Sequence, residues 1–131
     1  MIVIAALALA AAVQEEPNCK DPQSQSEMSA CTYIDYEAAD AAMNAEWKPL
    51  LAIMKERDKD FERKGDDRPG YVAALLDGQR AWLKFRGAHC VSEGYFARGG
   101  SMEPMQLYGC EAKLTNERTK QLHELFELYG M

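Results

Sequence analysis

The side chains best suited to chemistry in this 131-residue chain are charged groups set in otherwise apolar helical stripes. Over GQRAWLKFRGAHC, residues 78–90, a helix puts Gln79, Trp82, Leu83, Arg86 and Cys90 on one side. Val72, Leu75 and Leu76 extend the stripe backwards. Such a stripe should face a core, yet it carries a guanidinium and an amide. Asp40 sits in a comparable upstream seam, and Glu111 and Arg118 lie in one downstream. Two carboxylates held together are the general acid and base of glycoside hydrolysis. They are equally the acids of a structural ion network. Removing one member of a buried pair typically costs about 3–5 kcal/mol, so buried charges are expected to meet opposite ones. The network is therefore the stronger reading, with Asp40, Gln79, Arg86, Glu111 and Arg118 as members and no catalytic residue. Arg86 is expected to pair with Asp40 or Glu111, for which its planar fork is suited. The stems of Arg86 and Arg80 can lie against Trp82.

The remaining reactive types assemble poorly. No Ser-His-Asp or Cys-His arrangement has a credible spacing, and the two histidines fall at helix ends. A zinc set would draw on His89, Cys90, Cys110 and His123, but no C-x-x-C knuckle supports it. The chain reads as a non-enzyme, without metal or other cofactor.

Three helices are needed to position these groups. Ser24 with Glu27 three residues later resembles a capping box, so a helix should start near residue 24 or 26. It should run to about Arg63. Tyr36, Asp40, Met43, Trp47, Leu50, Met54, Arg57 and Phe61 alternate in steps of four and three, the seam of a bundle helix. Pro49 should kink it. GDDRPG, residues 65–70, is the clearest break. A second helix is expected from Tyr71 to Gly94, and a loop over YFARGGSMEP. A third should run from Pro104 to Tyr129, with Leu107, Cys110, Glu111, Leu114, Arg118, Gln121, Leu122, Leu125 and Tyr129 inward. No period-two strand pattern appears. The expected fold is all-α, a small antiparallel three-helix bundle with a long first helix, stapled by disulfides.

Residues 1–13 are apolar from Ile2 to Val13, too short for a bilayer, which takes about 20 residues. They fit the h-region of a signal peptide, with A-x-A-type small residues at Ala10 and Ala12. No Lys or Arg precedes them; either the terminal amine supplies the positive end or the start is truncated. Residues 14–24 form an irregular lead-in, and 25–129 the helical domain. Cys19 does not directly follow the apolar run, so a soluble exported protein, periplasmic or secreted, is expected rather than a lipoprotein. It should make no stable membrane insertion after the leader is removed. A net charge of −6 argues against nucleic acid and anionic membrane surfaces and permits a basic partner.

Four cysteines in an exported chain suggest two disulfides. Local pairing, Cys19 with Cys31 and Cys90 with Cys110, is economical; Cys31 with Cys90 competes. A Cys90–Cys110 bridge would staple the loop between the second and third helices and contribute about 3 kcal/mol in the chain-entropy model.

Several of these residues recur together in a known pattern. EMSAC at 27–31, Ala39-Asp40 with Asn44 and Trp47, QRAW at 79–82 with Arg86 and Cys90, GGS at 99–101, Cys110, and L-T-x-x-R at 114–118 occur in this order. The set resembles the LprI-type lysozyme-inhibitor domain, a family of small exported bacterial helical proteins, over Cys19 to about Leu125. Trp47 stands where Tyr is common, Met43 where Leu is typical, and Gly87 where an acid is more usual. The resemblance implies a helical fold and binding to lysozyme-type muramidases.

Two functions follow. One is a secreted or periplasmic inhibitor of a basic lysozyme, attracted by opposite charge. Its partner-binding surface would be the loop from Val91 to Gln106, presenting Tyr95, Phe96, Arg98, Ser101 and Glu103. A second candidate surface is an acidic ridge of Glu56, Asp58, Asp60, Asp66 and Asp67. The alternative function is an envelope interaction module with another partner and no inhibitory activity.

Overall fold

The protein is described by a computed structural model over residues 15–130. The apolar segment 1–13 lies outside those residues. Three α-helices account for nearly all regular structure: α1 Gln25–Asp60, α2 Tyr71–Gly94 and α3 Glu103–Gly130, with a single 3₁₀ turn at Tyr95–Ala97 after α2. No strand occurs among the described residues.

Each helix boundary has a local cause. Ser24 caps α1: its hydroxyl accepts the Glu27 N–H at 3.1 Å. The Glu27 carboxylate reaches back to the Gln23 N–H at 2.6 Å, one residue before the cap. α1 is continuous through solvent-facing Pro49. It stops at Asp60, short of the Arg63 expected from its charged tail, because Phe61 turns extended (φ −82°, ψ 113°). The connection then passes Lys64 (φ 29°) and Gly65 (φ 88°), where glycine's freedom is used.

α2 begins at Gly70, which has no side chain to offer its first N–H groups. Asp58 of α1 supplies the missing cap. Its two oxygens accept from Tyr71 N–H at 2.7 Å and Val72 N–H at 3.0 Å. A carboxylate at this position also complements the positive end of the helix. A Cβ on Gly70 would lie 2.6 Å from Asp58 Oδ1, so the glycine is what admits the carboxylate.

The helices alternate in direction. Gln25 of α1 touches Met105 of α3, and Arg57 near the end of α1 donates to the Tyr129 carbonyl near the end of α3 at 3.0 Å. α1 and α3 therefore run parallel, and α2 returns antiparallel between Asp58 and the Cys90–Cys110 bridge. α1 packs most extensively on α3 and least on α2. The apolar core joins Met43, Leu50 and Met54 of α1 to Leu75 of α2 and Leu122 of α3, with Trp47, Trp82, Phe126 and Tyr129 against it.

Two disulfides close the other end, Cys19–Cys31 and Cys90–Cys110. The Cys31–Cys90 alternative is not formed, and no described cysteine is free. The third helix's inward face is centred slightly off the expected stripe. Ala112 and Thr115 are buried, Leu114 is half-buried and Gln121 is exposed.

Candidate functional site

Two regions bring the chemically capable residues together. The first is a polar seam in the middle of the bundle. Arg86 Nη1 donates to Asp40 Oδ1 at 3.2 Å and to Thr115 Oγ1 at 3.0 Å, and Nη2 donates to the Tyr36 hydroxyl at 3.4 Å. Its guanidinium also lies 5.0 Å from the Trp82 ring and 5.3 Å from that of Tyr36. One arginine thereby ties all three helices. The Arg86 side chain is 11% exposed and that of Asp40 36%, so the pair sits at the rim of the core.

Arg118 departs from the expected pairing. No described carboxylate contacts it. Its Nε donates to Gln79 Oε1 at 2.9 Å and its Nη1 to Gln121 Oε1 at 3.0 Å. Burial pushes its pKa down, a direction that reflects neutral partners in place of an acid. It lies 6.0 Å from the Trp82 ring, so Arg118 and Arg86 are the cations on that indole, where Arg80 was expected beside Arg86.

Glu111 is likewise drawn near the seam without a described hydrogen bond or ion pair. Burial raises its pKa most; Arg86 opposes the shift and Asp40 adds to it. The expected network of two acids and two bases is therefore a single ion pair, Arg86–Asp40, beside an amide-bound Arg118 and a half-buried Glu111. Asp40 is committed to Arg86 and Asn44, whose amide donates to Asp40 Oδ2 at 3.3 Å.

Several neighbours escaped the sequence reading. Thr115 is fully buried. Tyr33, Tyr36 and Tyr108 pack ring to ring with centroids 4.9–6.2 Å apart. A hydroxyl inside an amphipathic helix gives no signal until its partner on another helix is known. Tyr36 belongs to the expected seam of the first helix, but its meeting with Tyr33 and Tyr108 depends on how the helices are set against one another.

The second region is the tip between α2 and α3. α2 ends at Gly94 as expected and α3 starts at Glu103, one residue before the expected Pro104, so the Val91–Gln106 segment takes in the ends of both helices as well as the turn between them. Phe96 is 83% exposed and Tyr95 47%. Arg98 folds over the Tyr95 ring at 4.3 Å. Glu103 accepts the Gly99 N–H at 2.7 Å, and Gly99 takes φ +77°. Ser101 is exposed. The tip is thus an aromatic knuckle braced by its own backbone and by the disulfide below it.

The acidic ridge is largely occupied. Asp58 caps α2, Glu56 pairs with Lys59 at 2.8 Å, and Asp66 pairs with Arg68 at 2.6 Å. The Arg68 hydrogen bonds hold the Asp66 carboxyl down at about 2. Asp60 and Asp67 are exposed.

Of the zinc set, Cys90 and Cys110 are spent on each other. His89 faces Glu93 at 3.7 Å, and His123 lies between Glu46 at 3.2 Å and Glu127 at 3.3 Å. The Glu46 hydrogen bond raises the His123 pKa.

Among the described residues, no helix is long and apolar enough to cross a membrane. Residues 18–122 match the family described as Lysozyme inhibitor LprI. An uncharacterized protein of Rhizobium meliloti (strain 1021) is 40% identical over 126 residues, which cover 96% of this chain and 91% of that protein. No solved structure matches. The matched span holds both disulfides, the Arg86 seam and the whole aromatic tip, and the chain belongs to the LprI lysozyme-inhibitor family.

Proposed function

We propose that the protein is an exported inhibitor of a basic lysozyme-type muramidase, docking through the tip between α2 and α3. The observation that carries this reading is Phe96, a large aromatic side chain 83% exposed at the apex of a disulfide-closed turn. A monomer gains nothing from an aromatic group in water, whereas interfaces concentrate their energy in such anchors. The bracing of the tip by Cys90–Cys110 and by the Glu103–Gly99 hydrogen bond lowers the ordering cost of binding. Tyr95, Arg98 and Ser101 would form its rim. The charge of −6 favours encounter with a basic enzyme. Two disulfides suit an oxidising compartment, which supports export to the periplasm or medium. Asp40 and Glu111 act as structural acids in this reading and catalyse nothing.

The test is a lysozyme activity assay with the mature, oxidised protein titrated in. Inhibition is expected, with Phe96→Ala weakening it about 30-fold, the equivalent of about 2 kcal/mol at a central anchor. Salt should weaken it further, since charges are screened over about 8 Å at physiological ionic strength. No inhibition of any c-, g- or i-type enzyme would turn the reading to an envelope interaction module with a different partner. Inhibition unaffected by Phe96→Ala would move the docking surface elsewhere.

A further inference from the structure

α1 and α2 are the pair of helices that pack least extensively on one another. A groove of about 390 Å³ runs between them. Tyr36, Asp40, Asn44 and Trp47 line it from α1, and Gln79 and Arg86 from α2. That volume falls within the range of small-ligand sites. The groove is distinct in residues from the Phe96 tip.

Its polar groups are incompletely used. Gln79 is 9% exposed, yet its amide N–H₂ donates only to the Met43 sulfur, at 3.5 Å. A thioether is a weak acceptor, and an amide donor in such a place has capacity for a stronger one. The Trp47 indole N–H makes no hydrogen bond among the described residues. No described side-chain N or O that is shut off from solvent lacks a partner, so that N–H is open to solvent. Asn44 spends its N–H₂ on Asp40 and leaves its carbonyl oxygen without a described donor. Arg86 makes three contacts with five N–H groups.

The chemistry of the lining selects among ligands. Asp40 and Arg86 neutralise one another, so the groove holds no net charge to attract a phosphate or a cation. An apolar ligand would cover four polar side chains and leave their groups unpaired, at a cost for each. Donors and acceptors interleaved beside two aromatic rings suit a ring that is apolar on its faces and hydroxylated at its rim. We propose that the α1–α2 groove binds a neutral saccharide of one or two rings, lying against Trp47 and hydrogen-bonded by Asn44, Gln79 and the Asp40–Arg86 pair. This site is independent of lysozyme docking at the tip.

The test is nitrogen-15 NMR of the full oxidised chain titrated with glucose, maltose, cellobiose and N,N′-diacetylchitobiose. At least one sugar should give saturable shifts of the Trp47 indole and Asn44 amide signals, with a Kd of about 1 mM and Phe96 unmoved. Leu83 lines the same groove and is 40% exposed, so Leu83→Arg should fill the groove without disturbing the core. It should weaken binding at least about tenfold, and exposed Asn44→Ala about three- to tenfold, each with a native spectrum elsewhere. The proposal fails if none of the four sugars gives a saturable shift at about 20 mM. It fails equally if the shifts cluster outside the groove, or if both variants bind as the parent does. None of these failures touches the lysozyme reading, whose readout is Phe96→Ala.

Discussion

The two ends of the bundle are held together by different means. Toward the 61–70 connection the interior is large and apolar: Leu50 and Leu122 are wholly buried, Met54 and Leu75 nearly so. Phe61, Tyr71 and Tyr129 close that end edge to face, with centroids 5.7 and 6.0 Å apart. Toward the tip, the buried residues are small: Ala39, Ala112, Thr115, Cys90 and Cys110. There the helices are tied by sulfur and by one arginine. Small interior side chains bury little area, and burial stabilises by only about 25 cal/mol per Å², so covalent and polar ties make up the difference. Exposed aromatic side chains occur at both ends, Phe61 at the first and Tyr33, Tyr95 and Phe96 toward the tip, but the most exposed of them, Phe96 at 83%, stands at the end with the thin core. With docking at the tip as proposed, stability and recognition are divided along the length of the helices.

The largest effect should come from the apolar end. Leu50 is fully buried among Met43, Met54, Leu75 and Leu122. Leu50→Ala removes that burial and leaves a cavity, so denaturant unfolding should register a loss of about 2–5 kcal/mol. A loss under about 1 kcal/mol would mean that this end collapses around the gap and is not the rigid half.

Removing the Cys90–Cys110 bridge, as Cys90→Ala with Cys110→Ala, should cost about 3 kcal/mol, given its separation of 20 residues. The loss should be unevenly distributed. Hydrogen exchange should accelerate first in residues 90–110, while amides around Leu50 and Leu122 keep more of their protection. Uniform acceleration would show one cooperative unit and dissolve the distinction between the ends.

That division was only partly legible in the sequence. The GDDRPG break and the Gly-Gly pair after α2 mark the turns because glycine and proline resist helix, and the Ser24–Glu27 spacing marks a start. The period of 3.6 gave the inward side of each helix only approximately, since Leu83 and Gln121, both expected inward, are exposed. The offset between helices did not follow, and offset decides partners. Arg118 and Glu111 lie seven residues apart on one stripe, and each was expected opposite a counter-charge. Rotation and axial shift instead bring Arg118 to the Gln79 amide and leave Glu111 beside the Arg86–Asp40 pair. Asp58 read as part of a solvated acidic ridge, because its role depends on where α2 begins in space. The groove between α1 and α2 was invisible for the same reason: an opening is a property of two helices, and periodicity describes one.

The smallest effect probes the polar half directly. Glu111 is partly buried, and its raised pKa means that ionisation is harder in the folded chain than in the unfolded one. Folded protein then holds the proton to higher pH, so this carboxyl contributes a destabilisation that is full above its folded pKa. It vanishes below the unfolded value of about 4.3. Glu111→Gln should therefore be the more stable form at pH 7, by less than about 1 kcal/mol given its partial exposure. The advantage should shrink on acidification and disappear below about pH 4 in thermal melts of the two proteins side by side. Arg86 acts against this sign, and Asp40 and burial act with it. A Glu111→Gln variant less stable than the parent at pH 7 would show that Arg86 is shared between Asp40 and Glu111. The polar half would then be a triad rather than a pair with a strained neighbour.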